Sequence, residues 1–228
     1  MHRSRDKKNR LFIYLSLLLL LSTFNNLSLS NSNYLDLKIY KVEVAGLNNE
    51  KNNEITKQLK SLLFHNILFI DKQFLRDILD KNNLIHSFDV KKIYPDSIEI
   101  RIKKTKFLAI TNYNNKKFYI GSNGKLINFD SKEKKLPYAY GKFDINIFLE
   151  IKEIIDKSKF DYSEISEIFF FPSGRIDIKN NYGQLFKFPK KNLLEYLNLA
   201  KKIKNNKNLK KNDIFDLRIS KYIILTNE

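Results

Sequence analysis

His2, His65 and His86 stand alone in the 228-residue chain, with no His-x-x-x-His pair and no cysteine beside them, so no metal-ligand spacing is present. Gly121-Ser122-Asn123-Gly124 is the nearest approach to a phosphate-cradling loop. It lies between two short alternating segments, Phe118–Ile120 and Lys125–Ile127, and is better explained as a hairpin loop in which both glycines supply positive φ. No serine occupies a Gly-x-Ser-x-Gly elbow. Asp80/Asp89 and Asp213/Asp216 can be offered as acid–base pairs, but a chain with 25 carboxylates supplies such pairs by number alone. No catalytic, cofactor-binding or metal residue is assigned, and the chemistry left to this chain is recognition.

A net charge of +17 raises the question of nucleic acid. Lysine outnumbers arginine 35 to 7, and the lysines are spread along the chain among 27 asparagines, where a phosphate-tracking surface would gather Arg and Lys on one face. The charge therefore reads as solvated surface, without a nucleic-acid partner. The absence of cysteine excludes disulfides and leaves the redox compartment unread.

Five basic residues lie in the first ten, and no further charge occurs until Asp36. Leu11–Phe24 is strongly apolar but only 14 residues long, about 21 Å of helix against about 30 Å of hydrocarbon. Alone it suits a signal-peptide core, whereas extension through Leu29 gives a span, residues 11–29. Either way the basic flank, residues 1–10, stays cytoplasmic and the chain beyond Leu35 is exported. Residues 30–37 read as a short Ser/Asn-rich link.

The next segments carry clear periods. In Tyr40-Lys41-Val42-Glu43-Val44, the residues Tyr40, Val42 and Val44 share a face and Gly46 ends the strand. Ile55, Leu59, Leu62 and Leu63 recur at helical spacing, and a second helix capped by Asp71 carries Phe74, Leu75, Ile78 and Leu79. Phe88 and Val90, then Ile98, Ile100 and Ile102, alternate with polar residues around Tyr94-Pro95-Asp96-Ser97, a hairpin whose Lys92 and Asp96 are expected on the surface. The order is β-α-α-β-β.

The strand, basic pair, aromatic-Pro-Asp turn and β-branched strand of 84–104 resemble the end of the POTRA domain in the bacterial cell-division family FtsQ/DivIB, with Tyr94 where the family has Trp. The strand-Val-x-Gly opening and the Asn before Leu68-Phe69-Ile70-Asp71 are similar to it at matching places. The expected fold is α+β: one membrane helix, a POTRA domain over 38–106, and a mostly antiparallel C-terminal β-domain with helices over 107–228. In that last part Asp144 caps a helix bearing Phe148, Ile151 and Ile155. Strands at 165–171, 175–178 and 184–188 come next, then a basic amphipathic helix over 190–204.

The ending, Ile214-Phe215-Asp216-Leu217-Arg218 and a last strand, also resembles the family. Phe215, Leu217, Ile219, Ile223 and Leu225 share one parity and are expected to be buried, opposite Asp216, Arg218, Ser220 and Tyr222. A final strand with no successor, unless it lies centrally in its sheet, keeps its outer backbone groups free to receive a partner strand. The resemblance implies engagement of FtsB through this strand and the Arg before it, here Arg218 in the penultimate strand. The candidate partner-binding residues are thus Arg218, Ile219, Tyr222, Ile223, Ile224 and Leu225. It further implies a non-enzymatic inner-membrane scaffold, with periplasmic domains, that recruits FtsB/FtsL-like proteins, links early and late septum-assembly proteins, and needs neither cofactor nor small-molecule substrate. Rival readings are a POTRA-bearing chaperone or translocation component, for which the chain lacks a barrel's strands, and a secreted hydrolase, for which it lacks a constellation.

Overall fold

The computed structural model describes residues 3–24, 37–130, 135–204, 213–219 and 222–227. Helix α1 (Arg3–Phe24) contains the 14-residue apolar stretch, whose large side chains from Leu11 to Leu21 are exposed. Among the described residues no helix is long and apolar enough to cross a membrane. Residues 25–29 of the expected span and 30–36 of the link lie outside the described residues. Leu37, counted with the link, is already tied to the fold, its carbonyl accepting from Ile67 N at 2.7 Å.

A three-stranded sheet comes next, built from β1 (Lys41–Ala45), β2 (Ile85–Ile93) and β3 (Ser97–Lys104) in the order β1-β3-β2. β1 runs parallel to β3 and β2 antiparallel to it. Helices α2 (Asn49–Gln58) and α3 (Lys72–Leu79) start where Asn48 and Asp71 accept from the backbone amides of Lys51 and Gln73, which satisfies donors the helix itself leaves open. Ile55, Leu59, Leu62, Leu75 and Leu79 bury against Ile98, Ile100 and Ile102, as the periodicity requires. Gly46 (φ 119°) could not be replaced, because a Cβ there would sit 1.9 Å from the Ile102 carbonyl oxygen.

Two expectations in this half are corrected. Tyr40, expected on the face of Val42 and Val44, is 51% exposed, while its neighbour Ile39 is fully buried. The amides of Tyr40 and Lys41 both donate to the Asp96 carbonyl, at 2.8 and 3.3 Å, so the alternation slips by one residue there and the parity inverts. Lys92 and Asp96 are part-buried rather than free on the surface: Lys92 Nζ donates to the Leu68 carbonyl at 2.9 Å, and Asp96 Oδ1 accepts from Ser97 Oγ at 2.6 Å.

The second sheet joins β4 (Phe107–Tyr113), β5 (Lys116–Gly121), β6 (Leu126–Asn128), β7 (Tyr138–Tyr140), β8 (Ile165–Phe170), β9 (Ile176–Asn180), β10 (Leu185–Phe188), β11 (Asp213–Asp216) and β12 (Ile224–Asn227). Their order is β12-β11-β10-β9-β8-β7-β4-β5-β6, antiparallel except at β4–β7, β7–β8 and β10–β11. α4 (Ile145–Lys157), capped by Asp144, and α5 (Leu193–Lys204) cover one face. There Phe148, Ile155, Leu193, Leu197 and Ala200 pack with Ile178, Phe186, Phe188 and Phe215. α5 begins at Leu193 rather than Lys190, because Asn192 adopts φ 59° and its carbonyl is the first to accept from the helix, from Glu195 N at 3.0 Å.

Of the two glycines in the β5–β6 loop only Gly124 has positive φ, 74°. Gly121 is needed for space, since a Cβ would lie 2.5 Å from Asn123 Oδ1. That loop does more than turn the chain. Asn123 Nδ2 donates to the carbonyls of Asn83 and Ile85 at 2.9 and 2.8 Å, Asn83 Nδ2 donates to Leu126 O at 2.8 Å, and Lys125 Nζ donates to Asp80 O at 2.6 Å. Together with the Thr105 amide on Leu84 O (2.9 Å), these bonds fasten the second sheet to the start of β2.

Candidate functional site

β12 is the edge strand of the nine and among the described residues pairs only with β11, in the register Phe215–Leu225 and Asp216–Ile224. Phe215 and Leu217 are buried, as their parity predicts, but the expected burial does not continue: Ile219, Ile223 and Leu225 are about half exposed. Ile224 and Leu225 are consecutive in a strand and so face opposite sides, yet they are 45% and 51% exposed. The helix-covered core takes in Phe215 and Leu217 but no residue of β12, so among the described residues neither face of β12 is fully covered. Its outer edge has no strand beside it among the described residues.

Arg218 lies just beyond β11 instead of within it. Its backbone amide donates to Asp216 Oδ1 at 3.1 Å and its Nε to the same oxygen at 2.8 Å, while the terminal guanidinium nitrogen bonds Asp216 Oδ2. This two-pronged pairing holds the Asp216 carboxyl below its usual range and the Arg218 guanidinium above its own. Arg218 is thus presented at the root of β12 in one orientation. Tyr222, two residues before β12, is 70% exposed.

Behind this edge runs a charged row that sequence reasoning missed. Asp177 (β9), Lys187 (β10) and Asp216 (β11) are direct cross-strand neighbours, continued by Ile224 (β12), all on the face away from α4 and α5. Asp177 is only 3% exposed, and burial pushes its carboxyl up, opposed first by the Arg175 guanidinium whose Nε stands 3.2 Å from Oδ1. Arg175 also stacks on the Phe171 ring at 3.7 Å. The signal was in the alternation Ile176-Asp177-Ile178, but parity cannot say which strands stand alongside.

The sequence-derived acid pairs do not form sites. Asp213 and Asp216 are three apart in one strand and so project to opposite faces, and Asp80 ends α3 while Asp89 faces Arg101 across the hairpin. His65 and His86 are exposed and separate, and His2 lies outside the described residues. Among the described residues no group of three or more His, Cys, Asp or Glu is gathered to hold a metal.

The molecule thus joins a β-α-α-β-β domain to a second sheet that ends, among the described residues, on β12. The family profile described as "POTRA domain, FtsQ-type" matches residues 37–104, which is the three-stranded sheet with its two helices. Over that stretch the chain carries a POTRA domain of the FtsQ type. The comparison with curated proteins gives no match. Among solved structures the chain is similar to the major extracytoplasmic domain, trans isomer, of the bacterial cell division protein DivIB from Geobacillus stearothermophilus. The identity is 17%, covering 46% of this chain and 99% of that one, at a TM-score of 0.34.

Proposed function

We propose that the protein is a membrane-anchored scaffold of the cell-division machinery whose work is binding. In this reading residues 1–10 are a cytoplasmic tail, 11–29 an inner-membrane anchor, 30–37 a link, 38–106 the POTRA domain and 107–228 the partner-binding β-domain. The observation that carries it is the FtsQ-type profile over the POTRA domain. The exposed apolar run of α1 supports the anchor, as do Ser16 and Ser22, whose hydroxyls donate to the carbonyls of Ile13 (3.2 Å) and Leu19 (3.0 Å) and so need no water.

The partner reading rests on β12. FtsB/FtsL-like divisome membrane proteins add a strand to its free edge, with Arg218 meeting a partner carboxylate and Ile219, Tyr222, Ile223, Ile224 and Leu225 supplying the apolar contact. The half-exposed Ile224 and Leu225 on opposite faces support an occupant that covers both. Co-purification from detergent-extracted membranes tests this with the full chain and with a chain ending at Lys221. The small partners are expected with the first and absent from the second, and their unchanged recovery with the shortened chain would remove β12 as the site. The anchor is tested by alkaline extraction, in which the chain stays with the membranes. A mature form beginning near Asn31 in the soluble exported fraction would overturn it.

A further inference from the structure

The POTRA domain carries an apolar end that the fold leaves open. Tyr40, Phe64, Leu68, Phe69, Ile93 and Tyr94 are all at least 40% exposed, and Phe69 reaches 82%. This is no loosely packed region, because Ile39, Leu62 and Ile67, their neighbours in sequence, are almost wholly buried. Phe64 holds φ 68°, a left-handed conformation rarely adopted by an aromatic residue, while its amide is bonded to the Ile39 carbonyl at 2.8 Å.

The six side chains belong to one end of the domain. Leu37–Tyr40 runs between the 64–67 segment, bonded through Ile39 N to His65 O (2.9 Å) and Ile67 N to Leu37 O, and the hairpin turn, bonded through Tyr40 N to Asp96 O. The Tyr40 and Phe64 rings meet edge to face at 5.7 Å, and Lys92, just before Ile93, reaches back to the Leu68 carbonyl. This is the end at which the chain arrives from α1. Twelve residues separate Phe24 from Leu37, which span at most about 43 Å when fully extended.

We propose that this end seats in the lipid–water interface of the bilayer that holds α1, so that its occupant is the phospholipid surface. The inference rests on the anchored reading above. Phe and Leu flanked by Tyr, bordered by Lys38, Lys41, Lys72 and Lys92, is the mixture that suits the headgroup level: apolar bodies below, hydroxyls and ammonium groups above. Glu43 is offset by Lys41, whereas Asp71 and Asp96, bonded to the Gln73 amide and the Ser97 hydroxyl, keep their charge but are outnumbered by Lys38, Lys72 and Lys92. A second attachment beside the tether fixes the tilt of the POTRA domain relative to the bilayer.

The cysteine-free chain makes the test direct, since Phe69→Cys creates a single site for an environment-sensitive fluorophore. The full chain is placed in nanodiscs of phosphatidylcholine with phosphatidylglycerol. Expected are a blue-shifted emission at position 69 and its quenching by spin-labelled lipid, while the same label at Asn115→Cys, in the exposed β4–β5 turn, emits as in water. Adding Phe64→Asp and Leu68→Asp should return the label at 69 to the aqueous emission, with thermal unfolding and disc association unchanged. A chain in the discs whose label at 69 is aqueous from the outset overturns this inference and leaves the anchor standing. A chain that does not co-elute with the discs overturns the anchor and the inference together. A label shielded in native envelope vesicles but hydrated in the lipid discs means that a protein covers this end, which also overturns it.

Discussion

Asn123 in the β5–β6 loop donates its side-chain amide to the backbone carbonyl of Ile85, 2.8 Å away and on the other sheet. A second bond from the same nitrogen to the Asn83 carbonyl makes Asn123 a clasp between the POTRA domain and the β-domain, beside the Asn83–Leu126 and Lys125–Asp80 bonds. Asn123→Ala should lower stability by about 1–2 kcal/mol, and Asn123→Asp by more, since it sets a carboxylate against two carbonyl oxygens. Denaturant unfolding of the three proteins at neutral pH checks the order, and equal losses for Ala and Asp would mean the amide donors contribute nothing.

Gly46→Ala should be among the most damaging single-methyl changes in the chain. The added carbon would overlap the Ile102 carbonyl at 1.9 Å and the φ of 119° is hostile to any side chain, so a loss above about 2 kcal/mol is expected. Gly141→Ala, with φ 104° and the Phe170 carbonyl at 2.1 Å, is the counterpart in the second sheet. Melting temperatures of the two variants measure both halves.

Asp177 gives a pH dependence of unusual sign. Its folded-state pKa is raised by burial, so the folded protein holds the proton more tightly than the unfolded chain does. Its contribution is therefore most favourable in acid and is lost as pH rises from the ordinary value of 3.8 through the raised one. Asp216, held low by Arg218, acts the other way, contributing stability at neutral pH that is lost as pH falls through its depressed value. The stability of Asp177→Asn relative to the parent should rise across this interval, which unfolding midpoints between about pH 3.5 and 6 would show. A flat difference would mean that Arg175 fully offsets the burial.

Ile224→Lys and Leu225→Lys separate binding from folding. Both side chains are half exposed, so each change should alter stability by no more than about 0.5 kcal/mol while placing an ammonium group on the strand offered to the partner. Arg218→Ala breaks an exposed pair and should cost at most about 1 kcal/mol. All three should lose co-purifying partners with their melting temperatures nearly intact, and retention of the partners would move the site elsewhere.

Features local along the chain could be read without the structure. Asp71 and Asp144 announce helix starts through a side chain two residues from the amide it caps, and Phe88, Val90, Ile98, Ile100 and Ile102 declare one apolar face of a hairpin by strict alternation. The hairpin, the helix order and the motifs within them carry the resemblance to a POTRA domain, because its strands and helices succeed one another with short connections. Tertiary structure decided what parity cannot express. Alternation states that Ile219, Ile223 and Leu225 share a side of the chain, but whether that side is buried depends on how far the helix layer extends, and it ends at β11. In the same way Asp177, Lys187 and Asp216 become neighbours only because β11 lies parallel to β10, and Asn123 becomes a clasp only because its loop lands on Ile85, 38 residues earlier in the chain. Periodicity is a property of a few consecutive residues, whereas cover, charge rows and contacts between sheets are created by segments that meet from far apart in sequence.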